Sequence, residues 1–369
     1  MFVVKRIFLA LNIIVALGLL ATYIPYHVFS ESIPYLTLLG YVYPFFLIVN
    51  VIFLFIWLLI GSRRFMLISI AAILVHLNFV TRFINVSSQE KNVENSLTIL
   101  TYNVNAFRYD TEGIEDSREL QIKIQDNIDS IAAFVSSTKA DIVVFQDFFS
   151  CSMDKSGMHN RMMNVLNYKY YYNIYKGSSY GVADCVIYSK YLIRESGRIV
   201  DDDYNNATMT WSDIATPQGD IRIYNLHLLS YQLDVDSKEA YSKIKKGDVN
   251  DKSAQKNILR KLVVKDKYRK YQVDDILQTI SKTEKPYIIA GDFNTQPFSY
   301  VYKQFMENHS DAFVSKGNGI GRTYNGVFPA YRIDYVMYKS EDIKINTYES
   351  PDLDFSDHYP VVVNFSIKD

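Results

Sequence analysis

Side chains that could bind a cation or transfer a proton closely follow four predicted β-strands. Each strand is a short run rich in β-branched and aromatic residues, and an amide, a carboxylate or an imidazole lies just behind it. The strands and their polar residues are Leu97–Tyr102 with Asn103, Asp141–Phe145 with Asp147, Ile221–Leu226 with His227, and Tyr287–Ala290 with Asp292 and Asn294. Such donors, gathered at one place, could hold a metal ion and handle protons.

Two later strands have the opposite order, with the polar residues in front. Asp334 lies at the start of Ile333–Tyr338, and Asp357 and His358 precede Val361–Phe365. If these two strands run antiparallel to the first four, all six polar clusters lie at one edge of the sheet.

The sequence Gly291-Asp-Phe-Asn294 predicts that two of these side chains point the same way. Asp292 and Asn294 are two residues apart, so in extended backbone they lie on one face. Gly291 permits a tight turn at the end of the strand. Oxygen ligands without thiolates select a hard cation, Mg²⁺ or Mn²⁺, and histidines beside carboxylates can transfer protons near neutral pH.

Each motif also has an ordinary structural interpretation when it is taken alone. Gly291–Asn294 could be a turn after a strand, and Asp357–Pro360 could be a strand entry that proline ends. A single histidine such as His227 is more often structural than catalytic. The joint occurrence of the motifs at strand ends favours one chemical site.

Strands alternate with helical patterns over residues 97–369, which indicates an α/β domain with a mixed sheet or two stacked sheets. Val182–Ser189 is a further predicted strand. Two apolar stripes at helical spacing predict helices, and they consist of Ile124, Ile128, Ile131 and Val135, and of Val273, Ile276, Leu277 and Ile280.

Residues 1–84 are far more apolar than the rest, because residues 85–369 hold 34 of the 39 Lys/Arg and 39 of the 40 Asp/Glu. Three apolar stretches lie at about 7–24, 35–60 and 65–84, and about 20 residues suffice to span a bilayer. We therefore predict three transmembrane helices in residues 1–84, a polar linker at 85–96 and a soluble domain at 97–369. A cleaved signal peptide is disfavoured, since no small-residue cleavage site precedes Pro25.

The basic residues of the apolar region predict its orientation. Lys5–Arg6 precede the first helix, Arg63–Arg64 lie between the second and the third, and residues 25–34 contain no Lys or Arg. The positive-inside rule then places the N-terminus in the cytoplasm and, after three crossings, the soluble domain on the periplasmic or extracellular side. Arg82, at the outer end of the third helix, is an exception to this pattern.

Charge and cysteine content bound the function further. Residues 85–369 are mildly acidic, which argues against a dedicated duplex-DNA binder, although a local basic patch would serve a nuclease. Residues 231–270 hold 12 Lys/Arg and 6 Asp/Glu; they could guide a polyanion or bind an anionic membrane surface, but a solvated helical insertion is favoured. Cys151 and Cys185 lack zinc-site spacing, and two buried thiols are favoured over a disulfide.

The motifs together resemble the endonuclease/exonuclease/phosphatase superfamily over about residues 95–369. They are Tyr-Asn-Val-Asn (102–105), Asp-Ile-Val-Val-Phe-Gln-Asp (141–147), Asn-Leu-His-Leu (225–228), Gly-Asp-Phe-Asn (291–294), Arg-Ile-Asp-Tyr-Val (332–336) and Ser-Asp-His-Tyr-Pro (356–360). The resemblance implies a four-layered α/β sandwich of two packed sheets with the site at one edge. The membrane-anchored layout is similar to that of bacterial members.

The resemblance implies that Asn103 and Asp147 help to hold Mg²⁺ or Mn²⁺ and that Asp357 supports the metal site. The superfamily usually has glutamate where this chain has Asp147. Aspartate keeps the charge but shortens the reach by one methylene, about 1.5 Å. Weaker metal binding, or loss of activity, is the expected risk.

The resemblance also implies roles in hydrolysis for the remaining residues. Asp292 would orient or deprotonate the attacking water, and Asn294 would position the water or the phosphate. His358, held by Asp334, would contact the phosphate, and His227 would bind another phosphate oxygen or help the leaving group.

Three functions remain open from the sequence. The first is hydrolysis of a phosphodiester in nucleic acid or a phospholipid head group. The second is phosphomonoester hydrolysis, and the third is a catalytically inactive, membrane-tethered binding module. The expected partners are a phosphate-ester substrate and the lipid bilayer; the sequence indicates no protein partner.

Overall fold

The chain divides into two units by its internal contacts. A computed structural model describes residues 2–108, 114, 116–148, 157–176, 182–199, 208–230, 252–325 and 332–368. The helical unit comprises the described parts of Met1–Ile84, Tyr231–Lys270 and Thr295–Gln304, and the α/β unit comprises the other described residues. Two segments from later in the chain thus join the N-terminal helices, and the domain boundaries at residues 84 and 97 remain predictions.

The first 84 residues form helices because they are almost wholly apolar and lack a β-strand alternation. These helices are α1 (Phe2–Ala21), α2 (Ile24–His27), α3 (Leu38–Tyr41), α4 (Tyr43–Leu59), α5 (Met66–Val75) and α6 (Leu77–Phe83). By length and composition, the helical stretch Val3–His27 could cross a membrane. Two further spans are possible only if each consists of a bent pair of helices. The pairs are Pro34–Tyr41 with Tyr43–Leu59, bent by 49°, and Arg63–Val75 with Leu77–Phe83, bent by 69°.

Buried polar side chains join three of these helices. The Asn12 amide of α1 donates to Ser69 Oγ of α5 over 2.7 Å, and Trp57 Nε1 of α4 donates to Asn12 Oδ1 over 2.9 Å. All three residues are fully buried. Because polar groups in apolar surroundings need internal partners, this network fixes how α1, α4 and α5 pack.

Two six-stranded sheets form the centre of the α/β unit. The strands are β1 (Ile84–Val86), β2 (Leu97–Asn103), β3 (Ile142–Gln146), β4 (Tyr170–Lys176), β5 (Val182–Ser189), β6 (Leu192–Arg198), β7 (Thr208–Thr216), β8 (Gly219–His227), β9 (Tyr287–Asp292), β10 (Ser310–Asp311), β11 (Asn318–Ile320), β12 (Asp334–Tyr338), β13 (Ile343–Glu349) and β14 (Val361–Ile367). One sheet has the order β13-β14-β2-β3-β5-β4, and the other has the order β10-β12-β9-β8-β7-β6.

Further helices lie between these strands in the sequence. They are α7 (Ser117–Thr138), α8 (Met158–Asn160), α9 (Lys252–Ile280), α10 (Tyr300–Met306) and α11 (Ala312–Lys316). The buried side of α7, which contains Ile128 and Ile131, packs on the β2–β3 sheet, as its apolar stripe predicts. The fold is therefore α/β with two mixed sheets flanked by helices.

Strand directions explain why polar residues from distant motifs meet. The pairs β2–β3 and β8–β9 are parallel, so all four strands of these pairs could end at a common edge. β12 and β14 run antiparallel to β9 and β2, which is the condition for all six polar clusters to share one edge, and Asp334 pairs directly with Asp292. Ile99 and Val144 of one sheet share a buried core with Ile223 and Ile288 of the other.

Residues that follow the last apolar helix are hydrogen-bonded to the α/β unit. Asn85 Nδ2 donates to the carbonyl oxygens of Phe313 and Val314, both over 2.8 Å. Gln89 Nε2 donates to the Tyr348 carbonyl over 2.7 Å. The polar side chains of this segment, which has no apolar pattern, thus donate hydrogen bonds to backbone carbonyl groups. Cys185 is buried in β5, whereas Cys151 lies outside the described residues, so their pairing stays untested.

Candidate active site

The ends of β2, β3, β8 and β9 bring one amide, two carboxylates and one imidazole together. Asn103 Nδ2 lies 3.0 Å from Asp292 Oδ2 and 3.3 Å from Asp147 Oδ2. His227 places Nε2 3.8 Å from Asp292 Oδ2 and Nδ1 3.8 Å from Asp147 Oδ1. Four of the six predicted clusters therefore meet around Asp292.

The two antiparallel strands supply an aspartate–histidine pair on another side of Asp292. His358 Nδ1 lies 3.0 Å from Asp334 Oδ2, and its Nε2 lies 3.7 Å from Asp292 Oδ2. One potential ligand atom from each of these three buried residues lies within 4.8 Å of the others.

Asn294 folds back onto Asp292 through its backbone and its side chain. Its N–H donates to Asp292 Oδ1 over 2.8 Å, and its amide nitrogen lies 3.1 Å from Asp292 Oδ2 and 3.0 Å from the Leu228 carbonyl oxygen. Asn294 adopts a left-handed φ of 48°, which asparagine tolerates better than most residues. At Gly291 (φ 141°) a Cβ atom would lie 2.0 Å from the Leu226 carbonyl oxygen, so this position requires glycine.

Asp147 is the solvent-exposed residue of the cluster. Its side chain is 48% exposed, whereas that of Asp292 is 1% exposed. Its φ of 47° turns the chain away from β3. The Asp147 carbonyl accepts a hydrogen bond from Ala106 N, which joins this turn to the residues after β2. Solvent and a ligand can thus reach the cluster from the Asp147 side.

Asp357 differs from the other predicted site residues. It is half-buried, and its carboxylate lies 3.4 Å from Ser356 Oγ. Its negative charge nevertheless helps to raise the pKa of His358.

Two hydroxyl residues that sequence reasoning missed support the site. Thr323 Oγ1 accepts the N–H groups of Ile333 and Asp334, both over 3.0 Å. Ser356 Oγ donates to the Asn103 carbonyl over 2.8 Å. Ser356 lies next to the Asp-His pair, which was a usable signal, whereas Thr323 lies in a loop that has no periodic pattern.

A model of the Endonuclease/Exonuclease/phosphatase family matches residues 100–358, which span every side chain of this cluster. The chain belongs to this family. A second model, described as a domain of unknown function (DUF8431), matches residues 5–83. No curated protein matches the chain in sequence.

Two solved structures share the fold at low identity. The chain is similar to the catalytic domain of human Nocturnin with a bound sulfate anion (TM-score 0.51, 16% identity, 74% of this chain and 94% of that one). It is also similar to a family protein from Bacteroides thetaiotaomicron (TM-score 0.51, 17% identity, 74% and 96%). These similarities support the α/β fold, and family membership makes the chain a hydrolase of phosphoric ester bonds.

Electrostatics favour a charged imidazole in this family member. Burial alone would lower the pKa of His358, but the negative charges of Asp334 and Asp292 outweigh burial and raise that pKa above its ordinary value. Burial raises the pKa of the Asp334 carboxyl, although the charge of His358 opposes this. The raised pKa favours the imidazolium form of His358, which can donate a hydrogen bond from Nε2.

The charge balance of the cluster fits a hard divalent cation. Asp147, Asp292 and Asp334 bring three carboxylates to the site, and the imidazolium of His358 compensates only one of them. Excess negative charge at a largely buried site is costly unless a cation balances it. Because the site offers carboxylate and amide oxygens and no thiolate, Mg²⁺ or Mn²⁺ suits it better than a thiophilic metal.

Proposed function

We propose that the chain is a membrane-anchored, divalent-metal-dependent phosphodiesterase. Its substrate class would be a phosphodiester of nucleic acid or of a phospholipid head group. The observation that carries the proposal is Asp292, which lies between His227 and His358 and against two amides, with an excess of negative charge around it. Such a group can hold a water molecule and accept its proton.

The metal would bind on the Asn103–Asp147 side of Asp292. The tightest donor group consists of Asp292, Asp334 and His358, but an imidazolium has no lone pair to offer a cation. The accessible Asp147 keeps oxygens for Mg²⁺ or Mn²⁺, and Asp357 adds negative charge nearby. Asn103 Oδ1 accepts the Asn105 N–H over 3.0 Å, so it would offer the cation its second lone pair. When bound, the cation neutralises the phosphate and stabilises the leaving oxygen.

The protein side chains would perform the remaining steps. Asp292 orients the water and takes its proton, while Asn294 fixes the carboxylate in position. His358, kept charged by Asp334, donates to a phosphate oxygen as negative charge grows there. His227 lies across the cluster and contacts another phosphate oxygen or the leaving group.

The apolar helices would anchor the enzyme with the N-terminus in the cytoplasm. Val3–His27 supports one span, and the two bent pairs would complete three. Three crossings would place the catalytic domain, residues 97–369, on the outer side of the cell membrane.

An inactive, membrane-tethered binding module is the second candidate. The observation that favours it is Asp147, whose carboxylate is short for its position and is half exposed. A phosphomonoesterase on the same fold is the third, and the same assay separates it from the other two.

The test is hydrolysis by the full-length chain in lipid nanodiscs with Mg²⁺ or Mn²⁺. The substrates are DNA, RNA, sphingomyelin and aryl phosphodiesters and monoesters. Turnover of a diester that Asp292→Asn abolishes, and that the surface change Asp220→Asn leaves intact, supports the proposal. Turnover of monoesters alone would favour the phosphatase, and no turnover on any substrate would favour the binding module.

A further inference from the structure

The segment that follows Asn294 directly belongs to the helical unit. Thr295 is joined to Asn294 by one peptide bond, yet residues 295–304 cluster with the N-terminal helices. Phe298 of this segment is fully buried. Its ring lies 4.1 Å from the ring of Tyr43 and 5.4 Å from that of Phe79, measured between centroids.

Arg82 holds the same segment by hydrogen bonding and stacking. Its Nη1 donates to the Pro297 carbonyl over 3.3 Å, and its Nη2 donates to the Tyr26 hydroxyl over 2.9 Å. The guanidinium carbon lies 4.5 Å from the ring centroid of Tyr26, 4.8 Å from that of Phe79 and 5.1 Å from that of Tyr302. One cation thus joins α2 and α6 to both ends of the segment Pro297–Tyr302.

Gly40 of α3 shows how closely the segment fits. A Cβ atom at this position would lie 2.4 Å from Gln296 Nε2. The Gln296 side chain has little freedom to move, because it is buried and its Oε1 accepts the Phe298 N–H over 2.7 Å. An added methyl group at Gly40 must therefore displace the segment.

We propose that the helical unit, through residues 295–304, positions the preceding residues Asp292 and Asn294, with Arg82 as a positioning residue. A membrane tether needs only an apolar helix, and it does not need a half-buried arginine bonded to a carbonyl three residues after Asn294. The arrangement fixes the chain just behind Asn294, whose left-handed backbone and amide hold Asp292. The catalytic part of this inference rests on the proposed function, and the positioning part does not.

Two measurements on the full-length protein in nanodiscs test the inference. The first is hydrogen exchange of residues 295–304 in Arg82→Ala and Gly40→Ala, where we expect faster exchange than in wild type. The second is steady-state hydrolysis of the best diester. We expect kcat to fall about tenfold or more with KM nearly unchanged, because small misplacements of a catalytic group are costly while Asn103, Asp147 and His358 lie on other strands.

Matched variants separate positioning from general damage. Arg82→Lys keeps the charge but not the fork of donors, so it should recover part of the lost kcat. Arg64→Ala removes an arginine that stacks on Phe65 in the turn before α5, and it should change neither measurement. Unfolding of one variant leaves the other to decide.

The outcomes distinguish this inference from the proposed function. Exchange that stays at the wild-type level in both variants refutes the positioning role. Faster exchange with an unchanged kcat refutes its catalytic consequence. An inactive wild-type protein refutes the proposed function, and the exchange data would still decide whether the helical unit holds the segment.

Discussion

His358 Nδ1 lies 3.0 Å from Asp334 Oδ2 in a buried pair. The pair forms because Asp334 begins β12 and His358 lies just before β14. In their two sheets, β12 runs antiparallel to β9 and β14 runs antiparallel to β2. Asp334 thereby orients the ring, so that Nε2 faces Asp292. The carboxylate also keeps the imidazole charged.

The first prediction removes the charge of Asp334 and keeps its shape. In Asp334→Asn the pKa of His358 should fall and the ring should lose its fixed orientation. We expect kcat for diester hydrolysis to fall by about 100-fold or more, the range for loss of one hydrogen-bond donor to a developing negative charge. A rate within threefold of wild type would show that the pair has no part in hydrolysis.

The second prediction concerns the reach of residue 147. Asp147→Glu adds one methylene, about 1.5 Å, and the exposed side of the cluster has room for it. We expect the concentration of Mg²⁺ that gives half-maximal activity to fall several-fold, whereas Asp147→Asn should raise it. An unchanged metal requirement in Asp147→Glu would mean that the shorter side chain does not limit metal binding.

Much of the site could be predicted because its residues follow strands, whose period and direction are local properties of the sequence. The position of Asp334 at the start of its strand indicated that it would reach the same edge if that strand ran antiparallel, as β12 does beside β9. The buried apolar runs, such as Tyr287–Ala290, predicted central strands. The roles of the individual residues remain predictions.

Other features could not be predicted, since they depend on contacts between distant segments. Nothing local marks Phe298 for burial between Tyr43 and Phe79. The stretch at 35–60 was expected to be one helix, but Val42 separates α3 from α4. The helix α4 begins at Tyr43 and has Pro44, which lacks a backbone N–H, in its first turn. Thr323 supports Asp334 from a loop without a periodic pattern.

A third prediction uses Asp213, which lies away from the cluster. Its buried carboxylate accepts hydrogen bonds from Arg222 over 2.6 Å and from Lys285 over 2.6 Å. Burial alone would raise the pKa of Asp213, but these two partners lower it below its ordinary value. A carboxyl with a lowered folded-state pKa stabilises the fold above its unfolded-state pKa of about 4, and this stabilisation is lost as the pH falls through the folded-state pKa.

Asp213→Asn should therefore lower the unfolding free energy at pH 7 by about 2 kcal/mol, which is measured as a lower melting temperature. The difference from wild type should shrink as the pH drops below about 4. Asp220→Asn is the control, because Asp220 pairs with Arg194 on the surface, where ion pairs contribute little. A deficit of equal size at every pH would contradict the electrostatic explanation.

The fourth prediction concerns the packing of the helical unit. Asn12→Leu removes the partner of Ser69 and Trp57 and leaves two buried polar groups unsatisfied. We expect a loss of about 1 kcal/mol in stability, seen as a lower melting temperature in detergent. Asn78→Leu, at an exposed position of α6, is the control. Equal effects of the two variants would argue against a network that fixes α1, α4 and α5.

The central claim is that hydrolysis depends on a divalent cation held beside Asp292. The direct measurement is hydrolysis of an aryl phosphodiester by the full-length protein, first with a chelator and then with Mn²⁺ or Mg²⁺ restored. We predict that activity disappears with the chelator, returns with the metal, and does not return in Asp292→Asn. Turnover that persists without metal, or that survives in Asp292→Asn, would contradict the account.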